Sequence, residues 1–245
     1  MGMAFASLRE SLGLGESDSF TASEFNYGRT YDRVIALTRT GTTSETVEVL
    51  ANLKGKVPTT VLTSTADSPA TAAADKSIVI DFAPEQSVVS TRFATTCLAL
   101  MRAHIGQDMA PIAQQGREML AVDLDVLASA EQISFLGTSW AIAMASEGAL
   151  KTRETAQFWA ETHPAMDYRH GPISIAQKGR VVWCFGNPPK NLQRDVEATG
   201  AYFETRDIDP MAHLVLAHRV AAEIAHRRGV NPDQPRHLSR SVVLV

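Results

Sequence analysis

Three residues of this 245-residue chain have the types and spacing that proton chemistry needs: Glu147, Lys151 and Glu154. On a helix they fall at i, i+4 and i+7, so two carboxylates and an ammonium share one face. A turn-prone segment then brings His170 beside Gly171-Pro172. Carboxylate, amine and imidazole together are what proton shuffling on a sugar requires. On spacing alone an ordinary surface Glu–Lys pair, which stabilises a helix by about 0.2–0.5 kcal/mol, is the more common meaning of such a row.

A second group sits in the loop Thr38-Arg39-Thr40-Gly41-Thr42-Thr43-Ser44, between the apolar run VIAL and a helical pattern. A strand-to-helix turn presents free backbone N–H groups and the positive end of a helix dipole, a natural cradle for phosphate. The five hydroxyls add donors, and the glycine allows close approach; a Ser/Thr-rich helix cap is the structural alternative. Gly137-Thr138-Ser139 repeats the arrangement after the run ISFL, ahead of the helix bearing Glu147 and Glu154, and by itself reads as a cap.

The elements that must position these groups alternate as α/β. Strands are expected at 33–38, 59–63, 76–81, 131–136, 181–185 and 202–205. Helices are expected at 4–12, 44–53, 90–105, 111–129, 140–162, 190–199 and 211–228. Short β-branched runs alternating with Ala-rich amphipathic ones predict parallel sheets covered by helices on both faces. The strandless stretch 90–129 divides them into two sheets, with one unit over residues 1–110 and a second over 111–245. Both loops then follow the carboxyl ends of strands, where open α/β sheets bind their ligands.

Composition narrows the function classes. Apolar residues make up 44%, charged residues 20% and aromatic residues 7%, as in ordinary globular proteins. Formal net charge is −4 and no extended basic run occurs, which argues against nucleic-acid binding. No stretch suits a membrane span or signal peptide, so a cytoplasmic protein is expected. Cys97 and Cys184 lie in apolar contexts and read as reduced core residues. No His/Cys/Asp cluster has ligand spacing, so neither metal nor organic cofactor is expected.

TRTGTTSET, PEQSVVSTR, GTSWAIAMASEGALKTRE, DYRHGP and NPDQPRHLSRSV occur in that order. Together they resemble the sugar isomerase (SIS) domain proteins, in particular the isomerase half of glutamine–fructose-6-phosphate amidotransferase, over nearly the whole chain from about residue 20. The resemblance implies two SIS subdomains, each a parallel sheet flanked by helices, in a homodimer with shared active sites. It implies phosphate-loop positions for Thr38, Arg39, Thr40 and Thr43, and a sugar-contacting segment holding Glu85 and Ser90. Glu154 matches the carboxylate that moves a proton between C1 and C2 of the open-chain sugar. His170 matches a ring-opening histidine contributed by the neighbouring subunit. Glu147 and Lys151 match supporting helix positions, and the 233–236 tail matches a strap across the subdomains.

Departures from the pattern carry their own expectations. Ser-Gln-Ser of the amidotransferases is Thr38-Arg39-Thr40 here, so an arginine strengthens anion binding if it points inward. The Schiff-base lysine of the tail is Arg240, a poor nucleophile suited to polarising a carbonyl or holding a hydroxyl. No glutaminase domain or leading catalytic cysteine is present, and the chain opens on helix residues Met3-Ala4-Phe5-Ala6, so the first sheet is expected to lack its N-terminal strand. The expected function is a phosphosugar isomerase or amino-sugar-phosphate deaminase/isomerase; the alternative is a non-catalytic phosphosugar-binding sensor.

Overall fold

A computed structural model describes residues 1–244. Among them seven strands form two parallel sheets. The first joins β1 (Val34–Leu37), β2 (Thr59–Thr63) and β3 (Lys76–Val79) in that spatial order. The second joins β4 (Gln132–Gly137), β5 (Ala160–Pro164), β6 (Arg180–Phe185) and β7 (Tyr202–Thr205) in the order β5-β4-β6-β7. This is the two-sheet α/β architecture expected, and α1 (Gly2–Ser11) stands ahead of β1 with no strand before it among the described residues.

The sheets differ in burial for reasons visible in their residues. Every position of β4 is buried, in keeping with an apolar central strand covered on both faces. Ile35 of β1 and Ile78 of β3 are instead exposed. The main core lies between the sheets, where α1, α4 (Arg92–His104), α7 (Ala141–Ala156) and α9 (Pro210–Arg227) meet. Small residues let α7 sit close on β4: a Cβ at Gly148 would stand 3.3 Å from the Phe135 ring. Smaller cores lie beneath α8 (Leu192–Glu197) and beneath α2 (Ser44–Leu53) and α3 (Pro69–Ala73).

Three expectations need correction. The helix over 140–162 stops at Ala156: Gln157 adopts φ 51°, its N–H bonds Arg153 O, and the chain re-enters the sheet as β5. The segment AETHP has little β-branched content, and pairing with β4 overrides that weak propensity. Trp159 therefore lies outside the helix. The helix over 111–129 breaks into α5 (Ala110–Glu118), a 3₁₀ turn at Met119–Ala121 and α6 (Asp125–Ala128). Arg219 fills the freed carbonyls of Met119 and Val122 at 2.7 and 2.9 Å. Helix α3 was not expected; Pro69 in its first turn and a Ser68–Thr71 capping box start it.

Candidate active site

The cleft is built from both halves of the chain. From the first half comes the β1–α2 turn, which needs its glycine. Gly41 has φ +70°, and a Cβ there would lie 2.1 Å from Ser68 Oγ. Thr43 is the N-cap of α2, and its hydroxyl bonds Ser241 Oγ at 3.4 Å rather than a helix N–H. The N–H groups of Glu45 and Thr46 find no acceptor among the described residues, while Ser44 N–H donates to Val242 O at 3.2 Å. Thr42 Oγ1 bonds Thr40 Oγ1 at 2.9 Å and Ser241 Oγ at 2.8 Å, so the tail from Ser239 to Leu244 rests on this turn.

The second contribution is α7. Its Lys151 is buried, with Nζ 2.7 Å from Glu154 Oε2 and 3.7 Å from Glu147 Oε1. Burial pushes the Glu147 carboxyl above its ordinary range, against the pull of Lys151. Glu147 Oε1 accepts no hydrogen bond, nor does the buried Thr38 Oγ1 make one. Two cleft residues thus carry buried polar atoms that a ligand could satisfy, each costing about 1–3 kcal/mol while unmet.

These groups line a cleft of about 360 Å³, bordered by Thr38, Arg39, Thr40, Thr43, Ser90, Glu147, Lys151 and Arg240. That size suits a small ligand. Eight of the eleven residues singled out from sequence meet there. Glu154 lies one turn further along α7, joined to the cleft through Lys151. His170 is exposed at the end of a 3₁₀ turn (Asp167–His170) and lies outside the lining.

Glu85 sits just outside the lining and is held by the start of α4. One carboxylate oxygen accepts from the N–H groups of Thr91 and Arg92 at 2.6 and 2.7 Å; the other accepts from Phe93 N–H at 3.1 Å and Ser90 Oγ at 3.0 Å. It therefore caps α4 and holds Ser90 toward the cleft. Burial works to raise its carboxyl, but the N–H donors prevail and it titrates below its ordinary range. Arg39 and Arg240 are both tied to backbone carbonyls of the same 85–88 loop.

Sequence reasoning overlooked Thr46, Phe93 and Cys97 on the cleft wall. Thr46 could have been found, since it follows the loop by one helical step from Thr43. Cys97 supplies no nucleophile: burial pushes its thiol up to about 12, so it stays protonated. A larger groove of about 600 Å³ runs between α4, α5 and α9. Its walls are mainly apolar and hold no carboxylate, whereas the smaller cleft holds the Glu147 carboxyl beside Lys151.

The architecture has well-matched counterparts among solved structures. A glucosamine-6-phosphate deaminase from Thermotoga maritima superimposes with a TM-score of 0.82 at 23% identity, covering 99% of this chain and 86% of that one. The C-terminal domain of glucosamine-fructose-6-phosphate aminotransferase from Francisella tularensis gives 0.82 at 19% identity, with coverage of 96% and 83%. The fold is that of the SIS proteins. In sequence, the chain is 26% identical to glutamine–fructose-6-phosphate aminotransferase (isomerizing) of Pyrobaculum aerophilum over 87% of its own length and 44% of the relative. For the Sulfolobus acidocaldarius protein of that name the figures are 23%, 99% and 48%. The chain thus spans about half the length of these curated relatives, and the resemblance is to their isomerase half. No protein-family model matches the chain. No helix among the described residues is long and apolar enough to cross a membrane.

Proposed function

We propose that the cleft binds a sugar phosphate and moves a proton between adjacent carbons of its open chain, as an aldose–ketose isomerase or amino-sugar-phosphate deaminase/isomerase. One observation carries this reading: the hydroxyl-rich turn of the first sheet borders the same cleft as Glu147 and Lys151 of α7, and Lys151 is bonded to Glu154 one turn on. The turn offers Thr40, Thr43 and the unfilled N–H groups of Glu45 and Thr46 to a phosphate.

Chemistry then falls to the helix row. Glu154 takes the proton from the carbon beside the carbonyl, and the C–H electron pair moves into an enediol whose oxygen gains a proton. Glu147, whose carboxyl holds its proton more firmly than usual, is suited to supply it. Glu154 then returns the carbon proton to the neighbouring carbon while the other enediol hydroxyl gives its proton back to Glu147, which forms the new carbonyl and resets both carboxyls. Lys151 keeps Glu154 in place at 2.7 Å. His170, exposed and outside its own chain's cleft, serves ring opening from a second copy in a homodimer.

The named relatives are enzymes, and both carboxylates and the lysine are in place, so a binding-only sensor is the poorer reading. Proton NMR in D2O decides it, using glucosamine, galactosamine, fructose and glucose 6-phosphates with and without ammonium. Deuterium at C1 or C2, or a new product signal, is expected and should fall at least about a hundredfold in Glu154→Gln. Unchanged spectra from sugars that bind would leave the sensor reading. Mixing Glu154→Gln with His170→Ala chains tests the shared site: activity returns in the mixture if His170 acts across the dimer.

A further inference from the structure

Two arginines from distant parts of the chain grip one loop. Arg39, on the β1–α2 turn, donates to Ser87 O at 3.0 Å and Val88 O at 2.9 Å. Arg240, on the tail, donates to Gln86 O at 2.9 Å and Glu85 O at 2.8 Å. A guanidinium carries five N–H donors, so each retains three after these bonds. Both residues border the cleft. The carbonyl bonds hold the buried Arg39 guanidinium and orient that of Arg240, which is exposed, along the same loop, and this lowers the entropy cost of recruiting them for a ligand.

Their charges are poorly matched by the protein. Lys151 has two carboxylates within 3.7 Å. Arg39 has only Glu85 at 3.8 Å, and that carboxylate is occupied by the α4 N-terminus and Ser90. Arg240 has no carboxylate within ion-pair distance among the described residues. The guanidiniums also oppose each other: burial, and then the nearness of Arg240, push the Arg39 pKa below its ordinary value. A cleft that already offers a phosphate the hydroxyls and N–H groups of the turn therefore holds a second cationic feature with no free carboxylate paired to it among the described residues.

We propose that the ligand carries a second acidic group, a carboxylate or another phosphate, and that Arg39 and Arg240 together bind it. The assignment rests on the sugar-phosphate reading and narrows it to doubly acidic sugars. Planar forks with free donors suit the two oxygens of such a group. Arg240 then orients the ligand by its charge, where a lysine at this position would offer an amine for imine formation.

Calorimetric titration with three probes tests this. Fructose 6-phosphate has one acidic group, 6-phosphogluconate adds a carboxylate, and fructose 1,6-bisphosphate adds a phosphate. At least one doubly acidic probe is expected to bind about tenfold or more tightly than fructose 6-phosphate, with a steeper salt dependence. The better of the two identifies the group. Arg240→Gln should bring that ratio close to one and Arg240→Lys should restore part of it; thermal melts confirm that the variants remain folded. Equal affinity for all three probes overturns the proposal and leaves the sugar-phosphate reading standing. A preference that survives both Arg240→Gln and Arg39→Gln also overturns it. If no probe binds, the sugar-phosphate reading falls and takes this one with it.

Discussion

The two strand-to-helix turns are written alike, with a glycine among hydroxyls after an apolar strand, yet they end in opposite states. After β4, the first turn of α7 consumes its own donors: the N–H groups of Ala141, Ile142 and Ala143 bond Thr138, Ser139 and Trp140 carbonyls at 3.0–3.2 Å. Trp140 is then covered by the Arg102 guanidinium, 4.9 Å from the ring centroid, and Arg102 makes a two-pronged pair with Asp209 at 2.8 and 2.6 Å. After β1, the N–H groups of Glu45 and Thr46 and the Thr38 hydroxyl have no partner among the described residues. Sequence grammar for an anion site is thus shared by a site and by a sealed junction. What separates them is whether the turn has already spent its first-turn donors on its own carbonyls.

Breaking the sealed turn should have the largest effect. Arg102 is buried at 3% exposure, so Arg102→Ala strands Asp209 and uncovers Trp140. Loss of about 3–5 kcal/mol of stability in urea denaturation is expected. A neutral result would mean that the second turn is closed by something other than this pair. Gly137→Ala comes next. Its Cβ would lie 2.4 Å from the Ala141 backbone, and about 1–3 kcal/mol should be lost. In both variants the fraction that remains folded should bind sugar phosphate as wild type does.

Helix α9 joins the two regions and supplies a pH test. His218 lies between the large groove and the cleft, with Lys151 and Glu85 as charged neighbours and Arg92, Arg117 and Arg219 around the same groove. Burial, helped by Lys151 and opposed by Glu85, pushes its pKa from 6.5 to about 4. The unfolded chain therefore takes up a proton near pH 6.5 and the folded one only near pH 4. Between those values the unfolded state binds more protons, so stability is lost as pH falls through this window. A loss of about 1–2 kcal/mol is expected, and His218→Gln should flatten that part of a Tm-against-pH curve.

Legibility from sequence followed the same division. Both sheets, their parallel sense and the helix row were readable because hydrophobic period and β-branched runs report burial directly. β5 was not, since Ala160–Pro164 is an edge strand whose partner, β4, lies 23 positions or more before it in the chain. Sequence spacing also could not show that Glu85 is consumed by the α4 N-terminus, because that role depends on a loop returning to the helix. Thr38, Arg39, Thr40 and Thr43 were readable as a turn with chemistry; the direction of the Arg39 side chain was not. Residue type reports what a group can donate, and only the packed chain reports whether the donor is already spent.

The smallest effect gives the finest test of this difference. Thr38→Val keeps the shape of the side chain and deletes the buried hydroxyl that finds no partner in the cleft. If that oxygen were merely structural, its loss would lower stability, and ligand binding would follow stability. If it awaits a ligand, the empty protein should gain about 1 kcal/mol, because an unmet buried polar atom has been removed. Affinity for a bound sugar phosphate should fall about tenfold at most, because one hydrogen bond to it has gone. Thermal melts with and without fructose 6-phosphate read both quantities in one experiment. The two melting points should move toward each other, the free protein upward and the ligand-induced increment downward. A hydroxyl already used within the fold cannot produce that pair of opposite signs.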